Sequence, residues 1–148
     1  MDYGTPADYL TQRVERGREE LAEARSLFER AKYRMSLSHS YYAVFHIVSA
    51  TLFVTGIERT KHSGIEAAFV QHLVKPGTLE IEHGETFKLA RKWREDADYT
   101  IGKEFTETTA REILERCERL FTRLETYLRD HSHLPPELSP GQTEESPK

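Results

Sequence analysis

The segment that most constrains this chain is residues 37–54, which is apolar on nearly every side if it forms one α-helix. A surface helix keeps a polar face, so a helix without one belongs in the interior of a bundle. Polar side chains are nevertheless set into the run Ser38–His46. At 3.6 residues per turn, His39 and His46 are about two turns apart and project from nearly the same side. The segment therefore predicts a central helix that carries a polar stripe.

The stripe includes more than the two histidines. Tyr42 and Ser49 fall on the same side of the predicted helix. Burying imidazoles and hydroxyls costs free energy unless each group finds a hydrogen-bond partner. Two interpretations account for the stripe at this point: a buried hydrogen-bond network that supports the fold, or a functional site.

Helical periodicity continues on both sides of the central segment. Gly17 interrupts the first helix and indicates a close helix crossing. Ser63 with Glu66 three residues later predicts a capping box at the start of the third helix. The predicted helices cover residues 9–31, 37–54, 63 to about 76, 82–97, and from Thr106 or Thr109 to about 130.

These patterns predict an all-α protein, an antiparallel up-and-down bundle of four to five helices. The 148 residues are enough for one domain with a core and too few for two ordinary ones. We expect this domain to cover residues 1–130. Four of the 6 prolines lie after Asp130, among Ser, Glu, Gly and Gln. Such a composition does not bury a core, so residues 131–148 are predicted to be a disordered tail.

Composition also bears on location and partners. The single cysteine, Cys117, permits no internal disulfide and is expected to be a buried, inert thiol. The start of the chain lacks the features of a signal peptide, and we expect no segment to reach the roughly 20 apolar residues of a membrane span. We expect a cytoplasmic protein without membrane contact. The net charge of −4 argues against coating of DNA, whereas local basic patches are compatible with RNA.

The sequence lacks the motifs of several enzyme classes. No two histidines stand four apart with a glutamate between them, as zinc proteases require. The 8 glycines are scattered singly, so there is no phosphate-binding loop or dinucleotide fingerprint. A di-iron bundle repeats Glu-x-x-His pairs, and Glu80–His83 supplies that spacing once. We therefore expect no metal site and no cofactor.

Three motifs in order resemble the HEPN family, the "higher eukaryotes and prokaryotes nucleotide-binding" domains. They are Tyr-Tyr-Ala-x-Phe-His at residues 41–46, the Lys-His loop at residues 61–64, and Arg-x-x-Ala-Asp-Tyr at residues 94–99. The resemblance covers roughly residues 7–130, and is strongest to small bacterial and archaeal members. It implies a helical bundle that dimerises, and many members act as metal-independent ribonucleases in toxin–antitoxin and other defence systems.

The chain departs from the family at its hallmark, an arginine followed after four to six residues by histidine. His46 occupies the histidine position, and the arginine position falls on His39. Arg34 has the right count to His39 but lies earlier than the Tyr-Tyr-Ala-x-Phe-His register. Some members carry a tyrosine two residues beyond the histidine that a partner nucleotidyltransferase modifies, and here that position is Val48.

The resemblance and the chemistry of RNA cleavage together predict a site. Cleavage without a metal needs a base, an acid and positive charge at the phosphate. We expect His46 to act as acid or base, with His39 and Tyr42 assisting it. The predicted substrate-binding residues, which supply charge, are Arg94, Lys92, Arg91 and Lys61. Because imidazole does not reproduce the arginine fork, the activity is expected to be attenuated if it is present.

Two other interpretations stay open. In the second interpretation, the chain is a non-catalytic HEPN module that pairs with a nucleotidyltransferase antitoxin or binds a nucleotide. The third interpretation is structural, with the histidines hydrogen-bonded in the core or across a homodimer interface. Polar groups mixed with apolar side chains around Tyr41, Tyr42 and Phe45 are typical of such an interface, so a homodimer is predicted.

Overall fold

The computed structural model describes residues 4–57, 62–131 and 133–135, and in these ranges it contains α-helices and no β-strand. The fold is the all-α bundle that the sequence predicts. A π-helical segment, Val70–Val74, directly follows the third helix. The α-helices are α1 (Pro6–Glu29), α2 (Tyr33–Val54), α3 (His62–Phe69), α4 (Ile81–Tyr99) and α5 (Glu107–Asp130).

Helix α2 is the central helix, and it packs against α1, α3, α4 and α5. Its aromatic side chains continue into the core, where the ring of Tyr41 stacks on Phe87 with centroids 5.9 Å apart. In length and composition α2 is apolar enough to cross a membrane, a property not predicted from the sequence. The difference arises because the Val, Ile, Leu, Phe and Ala residues of α2 outweigh its Ser, Thr, Tyr and His residues in the mean hydropathy. Most of this apolar stretch is buried inside the bundle.

The turn between α1 and α2 differs from the prediction. Helix α1 ends at Glu29 rather than at Ala31, whose φ of 60° lies in the left-handed region. The N–H of Lys32 donates to the carbonyl of Leu27 at 2.8 Å, which closes the end of the helix as a Schellman motif does. Helix α2 then begins at Tyr33, four residues before the predicted start. The short turn makes the two helices antiparallel neighbours.

Gly17 lies where α1 crosses its neighbours most closely. A Cβ at this position would lie 2.7 Å from Cε2 of Phe121 on α5 and 3.1 Å from the carbonyl oxygen of Ala43 on α2. Any larger residue would push the three helices apart. The prediction of a close crossing at Gly17 is confirmed.

The remaining helix boundaries test the capping predictions. Helix α3 is described from His62, and the Ser63 side chain lies outside the described residues, so the capping box at Ser63 stays a prediction. Thr106 is the N-cap of α5, and its hydroxyl accepts a hydrogen bond from the N–H of Thr109 at 3.2 Å. Gly56, with a φ of 83°, follows α2 in the left-handed conformation that commonly ends a helix.

The end of the described chain, residues 133–135, packs against the bundle. Leu134 is 8% exposed and belongs to the hydrophobic core, and the N–H of His133 donates to the carbonyl of Leu128 at 2.7 Å. Residues 136–148 of the predicted tail lie outside the described residues. Cys117 is fully buried, and burial raises the pKa of its thiol to about 12, which confirms the prediction of an inert thiol.

Candidate functional site

The two histidines of α2 face α1. Nδ1 of His39 lies 2.5 Å from Oε1 of Glu20, a hydrogen bond in which the ring donates to the carboxylate. In an antiparallel helix pair, a step of two turns back along one helix matches a step of two turns forward along the other. Arg13 precedes Glu20 by seven residues, and His46 follows His39 by seven. Arg13 therefore lies opposite His46, as Glu20 lies opposite His39.

The electrostatics of His46 agree with this register. Its ring is half-buried, and its Nδ1 is buried without a hydrogen-bond partner in the described part of the chain. Burial first, and then the positive charges of Arg13 and Arg16, lower the pKa of His46 to about 4, against the opposite influence of Glu20. His46 is therefore neutral at pH 7 and able to accept a proton.

Arg13 is a cation near this ring that sequence reasoning overlooked. Its guanidinium carbon lies 5.5 Å from the ring centroid of Phe45, the residue next to His46 in the chain. Nε of Arg13 is buried and makes no hydrogen bond to any described residue. Arg16, one turn further along α1, is exposed. The surface where Arg13 and Glu20 of α1 face His46 and His39 of α2 is called the groove below. Its His46 end is positively charged, and its His39 end holds a carboxylate.

The opposite flank of the stripe faces α4. Arg94 is 8% exposed, and its guanidinium carbon lies 4.9 Å from the ring centroid of Tyr41 and 5.8 Å from that of Tyr42. Asp98 pairs with the same guanidinium at 3.5 Å, and the ring of Tyr99 lies 5.9 Å away. Burial raises the pKa of Tyr41 to about 12, so its hydroxyl stays protonated. Tyr42 therefore lies between the histidines and a buried arginine.

The polar side chains of α2 do not form a complete hydrogen-bond network. The hydroxyls of Ser40 and Ser49 are buried without partners in the described ranges, as is Nδ1 of His46. Ser36, by contrast, donates to the carbonyl of Ala24 at 2.8 Å. A network kept for stability alone is expected to satisfy its members, because an unpaired buried polar group costs about 1–3 kcal/mol. The unsatisfied atoms favour a functional interpretation.

The predicted substrate-binding residues do not form one patch. Nε of Arg91 pairs with Glu66 at 2.5 Å and Nη1 with Glu95 at 3.2 Å, while Lys92 is exposed. Lys61 lies outside the described residues. Arg91 and Arg94 both line a cleft of about 670 Å³ between α4 and the α3 region. Arg94, one of the predicted set, contacts Tyr42 of the stripe.

Three residues that sequence reasoning missed, Arg13, Arg16 and Glu20, come from α1. They stand at positions i, i+3 and i+7, so they share one face of that helix. Their seven-residue span equals the spacing of His39 and His46. This match is the sequence signal that these faces of α1 and α2 lie against each other. No group of three or more His, Cys, Asp or Glu side chains among the described residues is placed to hold a metal ion.

Comparisons with known proteins agree with this architecture. A family model described as "HEPN domain" matches residues 10–127. The chain is 31% identical over 115 residues to a "UPF0332 protein" of Thermotoga maritima, an alignment that covers 78% of this chain and 87% of the relative. It is 27% identical over 119 residues to "Putative toxin MJ0142" of Methanocaldococcus jannaschii, covering 80% and 81%. The crystal structure of TT1696 from Thermus thermophilus has a similar fold, with a TM-score of 0.68 at 16% identity over 79% of this chain and 96% of that one.

Proposed function

The chain belongs to the HEPN domain family, and we propose that it is a toxin or defence component that cleaves RNA without a metal. The observation that carries the proposal is the pair of imidazoles in the groove between α1 and α2. His46 is neutral at pH 7, and His39 is held in place by a carboxylate. One similar protein carries the name "Putative toxin MJ0142".

The proposed reaction uses the histidines as a base and an acid. His46 takes the proton of the RNA 2′-hydroxyl, whose oxygen then attacks the adjacent phosphorus. The bond from phosphorus to the 5′-oxygen breaks, and His39, acting in its doubly protonated form, gives that oxygen its Nε2 proton. The products are a 2′,3′-cyclic phosphate and a free 5′-hydroxyl. Glu20 holds Nδ1 of His39, which leaves Nε2 as the nitrogen that faces the leaving group.

The pKa of His46 is expected to rise when RNA binds. A base with a pKa of about 4 is weak at neutral pH, because efficiency is greatest when the pKa lies near the working pH. An anionic phosphate beside the ring favours the protonated imidazole and raises its pKa. The site therefore gains basicity when it is occupied.

The proposal gives the other predicted residues supporting roles. Arg94 is too buried to reach an RNA strand without rearrangement, so we assign it to holding Tyr42 beside the histidines. Lys92 is exposed on the same helix and is proposed to contact the RNA backbone, together with Lys61. Arg91 is engaged by two carboxylates and contributes less charge to RNA.

The test is cleavage of a mixed RNA pool in EDTA by wild type, His46→Ala and His39→Ala, each checked for folding by circular dichroism. His72→Ala is the matched control, because His72 is exposed on the π-helical segment. We expect wild type and the control to cleave and both groove variants to lose at least about 100-fold in rate. Equal cleavage by a folded His46→Ala variant would contradict the proposal.

A second candidate function is a non-catalytic module that pairs with a nucleotidyltransferase or binds a nucleotide. The observation that favours it is His39, which stands where family members carry arginine and is engaged by Glu20. Val48 is fully buried, so no modification is proposed at that position. Absence of cleavage by wild type, together with saturable ATP binding in equilibrium dialysis, would favour this candidate.

We also propose that the protein is a homodimer through the exposed edge of α2. Met35 is 40% exposed, and Tyr42 and Phe45 are half-buried on neighbouring positions of the same helix. Such a mixture of apolar and polar groups is typical of an interface core and rim. Light scattering is expected to give twice the 17.2 kDa chain mass. A mass of one chain would contradict the dimer.

A further inference from the structure

We propose that Arg13 of α1 binds the scissile phosphate beside His46, and so supplies the positive charge that His39 does not. The inference rests on the proposed function for the reaction that follows, but binding of a phosphate at Arg13 is testable by itself. Its site is the groove end formed by Arg13, Phe45 and His46.

The first argument is placement. The guanidinium of Arg13 lies against the Phe45 ring at 5.5 Å, and the Phe45 and His46 ring centroids are 5.9 Å apart. The contact between Glu20 and His39 sets the register of the two helices and puts Arg13 directly across from His46. A phosphate held by Arg13 is therefore within reach of the imidazole that accepts the 2′-hydroxyl proton.

The second argument is that the guanidinium of Arg13 is available to bind a phosphate. The arginines further along α1 are engaged, since Arg18 pairs with Glu125 at 2.7 Å and Arg25 pairs with Glu118 at 2.6 Å. Arg13 has no carboxylate partner among the described residues, and its Nε is buried without an acceptor. A buried guanidinium nitrogen without an acceptor is costly. A phosphate oxygen is the acceptor that its planar fork fits best.

The third argument is the distribution of charge along the groove. Arg13 and Arg16 lie at the His46 end, and Glu20 lies at the His39 end. An anion entering the groove is attracted to the first end and repelled from the second. The phosphate is thereby placed next to the base, and the leaving oxygen toward His39.

The test is binding of a fluorescent 2′-O-methyl RNA oligonucleotide, measured by anisotropy at low salt. This probe has no 2′-hydroxyl to react, so binding is measured apart from cleavage. We expect Arg13→Gln to weaken binding at least about 10-fold and Arg13→Lys to weaken it less, since lysine keeps the charge and loses the fork. Arg119→Gln is the matched control, because Arg119 is exposed on α5. It is expected to change binding less than about 3-fold.

A second readout checks the juxtaposition without RNA. In Arg13→Gln the pKa of His46, followed by NMR of the ring protons, is expected to rise toward its ordinary value because a nearby positive charge is gone. The Arg119→Gln control is expected to leave it unchanged. Circular dichroism checks folding of each variant, and the Arg13→Lys variant keeps the test valid if the glutamine variant unfolds.

The outcomes separate this inference from the proposed function. Binding of the probe that depends on Arg13, with no RNA cleavage by wild type, would support the phosphate site and overturn the ribonuclease. Cleavage that needs His46 and continues unchanged in folded Arg13→Gln would overturn the role of Arg13 and leave the ribonuclease. Absence of probe binding by wild type, or equal binding by Arg13→Gln, would also overturn the inference.

Discussion

The two flanks of α2 differ in how their charged side chains are paired. On the α4 flank, Arg94 is enclosed by the rings of Tyr41 and Tyr42 and paired with Asp98. On the α1 flank, His46 is half-buried with a nitrogen that has no partner in the described chain, and Arg13 across from it has another. Nε of Arg94 also makes no hydrogen bond to a described residue, but its guanidinium is held by the tyrosine rings and by Asp98, whereas Arg13 has no carboxylate partner there. One helix thus separates a structural flank from the flank that we propose to be reactive.

The largest effect is expected on the structural flank. Arg94→Ala removes the guanidinium from between the tyrosine rings and leaves Asp98 without its ion-pair partner. We expect the free energy of unfolding in urea to fall by about 2–3 kcal/mol. Lys92→Ala, an exposed neighbour on α4, is the control and is expected to change it by less than about 0.5 kcal/mol. If both variants are equally stable, the distinction between the flanks fails.

The reactive flank is expected to show its effect through pH. The pKa of His46 is lowered from 6.5 to about 4 in the folded state, so the unfolded chain takes up this proton first as pH falls. The contribution of neutral His46 to the free energy of unfolding is complete above pH 6.5 and is lost as pH falls toward 4. After allowance for solvent screening of a half-buried ring, we expect a loss of about 1–2 kcal/mol.

His46→Asn isolates that contribution, because every other group titrates in both proteins. Wild type is expected to lose more stability than the variant between about pH 7 and about pH 4, measured by urea unfolding at each pH. His83, whose pKa burial also lowers, contributes the same loss to both. Parallel stability curves for wild type and His46→Asn would show that His46 is not the buried neutral base described here.

A smaller effect is expected from Glu20→Gln. The amide keeps a hydrogen bond to His39 but removes the charge that orients the ring. We expect cleavage to fall about 10-fold, a typical cost for losing a positioning contact, with less than about 1 kcal/mol change in stability. Glu23→Gln, on an exposed turn of the same helix, is the control. A large loss of stability with unchanged cleavage would show that Glu20 supports the fold rather than the proposed site.

The smallest effect is expected from Lys92→Ala in RNA binding. An exposed lysine that neutralises one phosphate contributes mainly a salt-dependent attraction. We expect the slope of log affinity against log salt to change by about one unit or less. A greater loss of affinity than in Arg13→Gln would move the RNA-binding surface from the groove to α4.

Local patterns in the sequence were enough to predict the helices. The apolar character of residues 37–54 gives α2 its central place, and Thr106 marks the start of α5 through a contact within four residues. The prediction failed at Ala31, because an alanine adopts the left-handed turn that is usually made by glycine.

Only part of the site could be predicted from the sequence, and the reason is physical. The spacing of His39 and His46 follows from one helix, whereas their contacts with Glu20 and Arg13 depend on the register between two helices. The burial of Arg94 likewise depends on how α4 packs on α2. A single sequence shows which residues share a helix face, and the packing decides which of them meet.

The most direct test of the central claim is cleavage in EDTA of a DNA oligonucleotide that contains one ribonucleotide. If His46 activates a 2′-hydroxyl, wild type cuts only after the ribonucleotide and leaves a 2′,3′-cyclic phosphate, and the all-DNA oligonucleotide stays intact. Folded His46→Asn is expected to cut at least about 100-fold more slowly. No cut by wild type, or equal cutting by the variant, would contradict the assignment of this groove as a ribonuclease site.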